Sequence, residues 1–290
     1  MEKRRSYTIS MKLIFGGSGL VGSNFTDAVK LSSRDVNLLS YEDTLKCIQH
    51  YKPELIVHSA CKKLSSKLLY DNGADYFDEN VKISLNIFKA AAIAGVDKVI
   101  VIASINAFLK NNELLSSDMI NHNIKKTLST EYHKQYGLKS KVIYLSNVFG
   151  PFFKDTCNGF VPFIIEKCHN AIKNKTDINL IGNKLHKRNF IYIKDVIDII
   201  ESNINSNEDM VITTKISYTL EEVVNMVTDI MNFDGNVIWS GGYDDIQNKD
   251  IESLNHRVKF TNKTSMYNAL EETIGWYLEN EKNSYSTNIL

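Results

Sequence analysis

Proline is scarce, only three in 290 residues, and no low-complexity stretch stands in for it, so the chain has no long linker. Cysteine is sparse as well. Cys47, Cys61, Cys157 and Cys168 are scattered without metal-like pairing, and they read as reduced core or surface thiols of a cytoplasmic protein. Charge of either sign is not in excess: Lys+Arg and Asp+Glu both number 34. No global basic field exists to gather nucleic acid, and any phosphate binding must be local. No apolar run reaches the length of a membrane span, which excludes a membrane partner of that kind. The basic start Met1-Glu-Lys-Arg-Arg5 lacks the apolar segment and cleavage site of a signal peptide, so residues 1–11 read as an N-terminal tail. Internal repeats are absent too. The remainder, 43% hydrophobic and 23% charged, is the composition of a globular chain with a core to bury.

That core has a periodic texture. Lys12-Leu-Ile-Phe15 is a short apolar run that stops at glycines, as a buried parallel strand does. The pattern predicts a helix from Leu20 to about Val29, a very short strand over Val29–Ser33 and a helix over Tyr41–Tyr51. A buried strand follows at Glu54–Ala60, then a helix from about Tyr76 to Ala94 that ends at Gly95. A strand at Val99–Ala103, a helix over 118–136 and a strand at Val142–Ser146 continue the series. Strand and helix alternating at this spacing mean right-handed βαβ units and a doubly wound parallel sheet, an α/β fold. After Gly150-Pro151 the texture becomes α+β. Helices are predicted at Phe160–Lys173, Asp195–Ser202, Leu220–Met231 and Met266–Glu279, and strands at Ile178–Gly182, Phe190–Ile193 and Asn236–Ser240.

Gly16-Gly17-Ser18-Gly19-Leu20-Val21-Gly22 falls between the first strand and the first helix. A dinucleotide site needs glycines there: Gly16 for the sharp turn, Gly19 for close approach to a pyrophosphate, Gly22 for packing of helix on strand. Free N–H groups at the helix start supply the attraction for phosphate. At the end of the second strand, an acid would bind the ribose 2′-hydroxyl of NAD. Ser32-Ser33-Arg34 instead offers hydroxyls and a guanidinium, which suit the 2′-phosphate of NADP(H), with NAD as the alternative and a solvated surface arginine as the bland reading. Gly22 to Arg34 is twelve residues, close to the minimum for a crossover helix plus a strand, so the adenosine side of the pocket is expected to be thin.

Several segments, in order from about residue 12 to 280, resemble the GDP-L-fucose synthase family of extended short-chain dehydrogenases/reductases. They include Ile14–Ser23, Ser32-Ser-Arg-Asp35, Lys52–Ala60, Asn80–Ala92, Tyr136-Gly137, Asn147-Val-Phe-Gly-Pro151, Arg188-Asn-Phe-Ile-Tyr192 with Asp195, Met231–Val237 and Trp276–Asn280. The resemblance implies an NADPH-dependent epimerase-reductase acting on a GDP-4-keto-6-deoxy sugar, with no metal. It also implies a Rossmann domain (12–150 plus about 188–205) and a smaller substrate-binding domain (151–187 and 206–290). By match, Arg34 faces the 2′-phosphate, Asn147 lies near sugar and nicotinamide, Arg188 binds the nucleotide pyrophosphate, and Lys167 falls near a cationic position of the family. A homodimer through the helices at 76–94 and 118–136 is implied as well, with an active homologue as another possible partner.

The chain departs from the family where the chemistry is done. Reduction calls for a Tyr-x-x-x-Lys pair one helical turn apart, the phenol giving a proton as hydride arrives. Counting back from Gly137, the two positions hold Asp118 and His122, and no tyrosine in the chain has a lysine four residues later. The family serine survives as Ser104, but the epimerising cysteine is replaced by Asn106, and Phe160 is nearest to where the histidine belongs. Asp118 and His122 share a helix face, so a carboxylate-supported imidazolium is one reading, and a helix-start acid beside a surface histidine is the other. The remaining polar residues read as scaffold: His58 as a structural strand residue, Lys125-Lys126 as solvated charge. Two functions from different classes therefore stand: a drifted nucleotide-sugar reductase, and a pseudoenzyme that keeps the scaffold as a binding or regulatory subunit.

Overall fold

A computed structural model describes residues 11–62, 72–108, 116–152, 159–241, 258–261 and 263–286. The expected N-terminal tail, Cys157 and most of the loop after Ser104 lie outside these residues. The first half alternates as its hydrophobic pattern requires: β1 Lys12–Phe15, α1 Leu20–Ser23, β2 Val29–Leu31, α2 Tyr41–Tyr51, β3 Leu55–His58, α3 Gly73–Ala94, β4 Lys98–Ser104, α4 Ser116–Tyr136 and β5 Lys139–Leu145. The second half holds β6 Asn147–Phe149, α5 Phe160–Asn174, β7 Ile178–Ile181, β8 Lys187–Arg188, β9 Phe190–Tyr192 and α6 Ile193–Ser202. It continues with β10 Met210–Thr213, β11 Tyr218–Thr219, α7 Leu220–Ile230, β12 Val237–Ser240, β13 Val258–Phe260 and α8 Met266–Ser286.

Seven strands form one sheet in the order β13-β10-β5-β4-β3-β1-β2, every pair parallel. Alternation along β1 sends Leu13 and Phe15 to one face, where they pack with Ile48, Ile87 and Phe88 from α2 and α3. Ile14 points to the other face and joins Phe149, Ile164, Val196 and Leu270 in a core that continues into the smaller region. Strand order reverses beside β1, with β2 on one side and β3 on the other. The crevice outside the carboxyl ends of these strands is where ligands bind in open α/β sheets. Two strands of this sheet, β10 and β13, were not predicted, and they draw chain from beyond residue 206 into the large sheet.

The predicted first helix is the clearest difference. Instead of running to Val29, α1 is a single turn. The Asn24 side chain donates to the Leu20 carbonyl at 2.8 Å, ending the helix, and Asp27 turns the chain at φ +49°. Phe25 then drops fully into the core, doing with one ring what further helical turns do elsewhere.

At the opposite, amino edge of the sheet, three strand lysines meet the end of α6. Lys12 pairs with Glu201 at 2.8 Å, Lys98 donates to the Ile204 and Ser206 carbonyls at 2.7 and 2.6 Å, and the fully buried Lys141 donates to the Asn203 carbonyl. Burial first, and then a neighbouring ammonium (Lys139 beside Lys98, Lys98 beside Lys141), push Lys98 and Lys141 down to about 8. A lysine depressed in the folded state binds fewer protons than its unfolded counterpart between about pH 8 and 10.5, so stability rises with pH across that window. Burial also raises the Cys47 and Cys168 thiols from 9.0 to about 11, which lowers stability with pH above 9. The lysine effect therefore stands alone between pH 8 and 9. Thermal melts of the wild type against Lys141→Met should show a rise in both, smaller in the variant by the share of Lys141, ~1 kcal/mol over that unit of pH, while Lys98 keeps its own. Equal slopes would show that Lys141 keeps an ordinary proton affinity.

Candidate functional site

The glycine turn sits at the carboxyl end of β1. Gly16 turns the chain at φ +85°, and the N–H groups of Gly16 and Gly17 both donate to the Leu31 carbonyl, at 3.1 and 2.8 Å. The short crossover thus presses β2 directly onto the turn. Gly22 lies so close beneath that a Cβ there meets the Gly16 carbonyl oxygen at 2.3 Å. Gly19 differs, because a Cβ there meets nothing nearer than 3.4 Å. Its open side is the approach a pyrophosphate needs. Leu20 and Val21 are half-buried and pack against the core, so the backbone rather than the side chains of this segment faces outward.

A cleft of about 530 Å³ opens beside the turn, its lining including Gly17, Ser18, Lys30, Ser32 and Asp35. Asp35 accepts hydrogen bonds from both the N–H and the hydroxyl of Ser32, each at 2.7 Å. These two bonds, with a smaller contribution from Arg34, hold its carboxyl below the usual range. Arg34 itself is exposed, its N–H bonded to the Ser32 hydroxyl at 3.2 Å. The sequence reading stopped at Arg34 and missed Asp35. The signal was there: Ser-x-x-Asp is the spacing at which an acid reaches back to a serine N–H.

The second cluster gathers around the end of β4. Ser104 donates its N–H to His122 Nδ1 at 3.4 Å, and its hydroxyl accepts from the Asn106 N–H at 3.2 Å. In that contact Nδ1 acts as the acceptor. Asp118 lies one turn earlier in α4, and its side chain is outside the description. No tyrosine occurs between Ser116 and Glu131.

Further along the same edge, Asn147 donates to the Asn189 carbonyl at 3.1 Å. That contact sets it beside Arg188, half-buried in β8 and paired across the ribbon with Tyr218. Lys167 stays on the solvent side of α5 with its ammonium 5.7 Å from the Phe163 ring. The fold thus places Ser104 with His122, and Asn147 with the Arg188 strand.

Lys125 corrects the expectation of a solvated charge. It is 2% exposed, and Nζ donates to the Ile102 carbonyl at 3.0 Å, beneath the strand that carries Ser104. Periodicity misled because the apolar stripe of α4 is interrupted by polar residues that are nonetheless buried: Asn121, Lys125 and Ser129. Lys126 points out to Asp209 at 2.6 Å. His58 is buried and bonded through Nε2 to the Ser84 hydroxyl at 2.9 Å. Burial, and then the Lys125 charge, hold its imidazole well below the usual histidine range. Among the described residues no group of acids, histidines and cysteines could hold a metal ion, and no helix is long and apolar enough to cross a membrane.

A family model described as the NAD dependent epimerase/dehydratase family matches residues 12–212. The chain belongs to that family. Among curated proteins it is 25% identical over 306 residues to a GDP-L-fucose synthase of Dictyostelium discoideum, covering 92% of this chain and 95% of the other. It is 23% identical over 305 residues to a GDP-L-colitose synthase of Yersinia pseudotuberculosis, covering 94% and 99%. Among solved structures, a GDP-L-fucose synthetase from Naegleria fowleri bound to NADP superposes with a TM-score of 0.79 at 22% identity, covering 95% of each chain. The chain is a GDP-L-fucose synthase-like extended short-chain dehydrogenase/reductase, and its seven-stranded parallel sheet flanked by helices matches that of its structural neighbours.

Proposed function

We propose that this protein binds a nicotinamide dinucleotide, NADP(H) ahead of NAD, together with a GDP-sugar, and serves as a binding or regulatory subunit without turnover. The observation that carries the reading is the state of His122. Reduction of a ketone needs a proton delivered as hydride arrives, and the helix position that would hold the supporting lysine presents an imidazole whose Nδ1 already accepts a backbone N–H. That contact engages Nδ1, and no tyrosine stands on this helix between Ser116 and Glu131 to give the proton instead. The GDP-sugar is inferred from relatives named for GDP-L-fucose and GDP-L-colitose synthesis. NADP is inferred from the exposed Arg34 after β2 and from the NADP-bound structure of the Naegleria fowleri protein. The protein is proposed to work in the cytoplasm, in keeping with free Cys47, Cys61 and Cys168. Its proposed assembly is a homodimer, or a pair with an active homologue, through α3 and α4.

A second reading has one observation behind it: His122 lies against Ser104, where a reacting carbonyl would be held. Calorimetry with NADPH and a GDP-4-keto-6-deoxy sugar, followed by absorbance at 340 nm with both present, separates the two. Heat of binding with constant absorbance is expected. Oxidation of NADPH that disappears in His122→Ala would replace the subunit reading with reduction through His122.

A further inference from the structure

The geometry points to an aromatic wall, Trp276 with Phe152, that stacks the adenine of the dinucleotide, and to Asn280 as the residue that reads the edge of that base. This rests on the dinucleotide reading above and adds a recognition surface to it. Besides the polar residues already described, the cleft beside the glycine turn is lined by Phe152, Trp276 and Asn280. These come from the segment after β6 and from α8, far in sequence from the turn they face.

Three features fit this wall to a purine. Phe152 is 47% exposed and held at φ +72°, a conformation that is rare for a bulky side chain and is retained where surrounding structure demands it. Its ring lies 5.7 Å from that of Trp276 at an interplanar angle of 48°, so two aromatic rings are packed together where both line the cleft. Asn280, one helical turn beyond Trp276, donates Nδ2 to the Trp276 carbonyl at 2.8 Å. That bond orients the carboxamide and leaves Oδ1 to accept, which suits the exocyclic amino group of adenine and opposes the carbonyl of hypoxanthine. Ser18 and Lys30, which also line the cleft, supply donors for ribose and phosphate, and the Lys30 ammonium is already placed by the Ser23 carbonyl at 2.7 Å.

The test is binding of 2′,5′-ADP, NADPH and the hypoxanthine analogue of NADPH to the full chain. It is read by calorimetry and by Trp276 fluorescence, with Trp239 the only other tryptophan. Trp276→Leu should weaken 2′,5′-ADP by about five- to a hundredfold, the usual loss when a base loses its aromatic platform, while Trp276→Phe stays near wild type. Asn280→Leu should erase the preference for adenine over hypoxanthine, and because Asn280 is exposed it guards against loss of folding in the tryptophan variants. Wild-type affinity in Trp276→Leu, with NADPH still bound, would overturn the wall and leave the dinucleotide reading standing. No binding of NADPH to the wild type would overturn both.

Discussion

Gly22→Ala is expected to destabilise the protein by about 3 kcal/mol, whereas Gly19→Val should leave stability within about 1 kcal/mol and abolish dinucleotide binding. The two glycines belong to one motif and differ in what surrounds them. A methyl on Gly22 lands 2.3 Å from the Gly16 carbonyl oxygen and 2.9 Å from the Ser59 hydroxyl. That carbonyl also accepts the Gly19 N–H at 3.0 Å, so it cannot move away without opening the turn. Gly19 has φ −81° and ψ 166°, which any residue adopts, and open space where a side chain would go. A valine there fits the protein and fills the path of the ligand. Phosphate must come within about 3 Å of backbone N–H groups to be held, so a loss of about a hundredfold or more in NADPH affinity is expected. Urea melts and calorimetry on the two variants check the pair of outcomes. A Gly22→Ala protein that melts like wild type would show that the packing of α1 on the turn is looser than described. A Gly19→Val protein that binds normally would move the pyrophosphate elsewhere.

Much of this was legible before the structure, for identifiable reasons. The glycine turn was readable because strand, turn and helix start are local and each has its own residue requirement. The second helix was readable from its apolar face, and its start is secured by Ser40, whose hydroxyl accepts the Asp43 N–H. Likewise α7 begins with a capping box between Thr219 and Glu222. What escaped depends on distant chain. Met210–Thr213 is a four-residue apolar run that becomes a strand because β5 and β13 flank it, and nothing local says so. Lys125 looked like half of a solvated pair because its burial is decided by β4 and by the neighbouring His58, not by its own helix. The cleft is assembled from residues near 17, 32, 152, 276 and 280, so no sequence window contains it. The short crossover was legible as a length, twelve residues from Gly22 to Arg34, but the length alone did not say which element would give way.

Phe25 is where that shortage is made good, and Phe25→Ala is expected to cost about 3–5 kcal/mol, more than any exposed aromatic in the chain. The ring is 0% exposed and shares a core with Ile14, Val57 and Leu145, so it covers β1 and its neighbours on the face that α1 is too short to cover. Truncation removes the ring and leaves a cavity bounded by strands, which cannot collapse as a loop could. Phe25→Leu, which keeps most of the volume, should lose only about 1–1.5 kcal/mol. Phe163 on α5, 38% exposed, provides the comparison, and Phe163→Ala should stay within about 1 kcal/mol. The loss should also be felt at the cleft. Asn24 donates to the Leu20 carbonyl and also to the Pro151 carbonyl at 3.3 Å, next to Phe152. Loosening the segment that follows α1 therefore loosens the aromatic wall. Denaturation midpoints with unchanged slope measure the first effect, and 2′,5′-ADP affinity under native conditions measures the second. Should Phe25→Ala prove no costlier than Phe163→Ala, the single ring does not replace the missing turns, and the sheet face beside β1 must be held by the carboxyl-terminal helix instead.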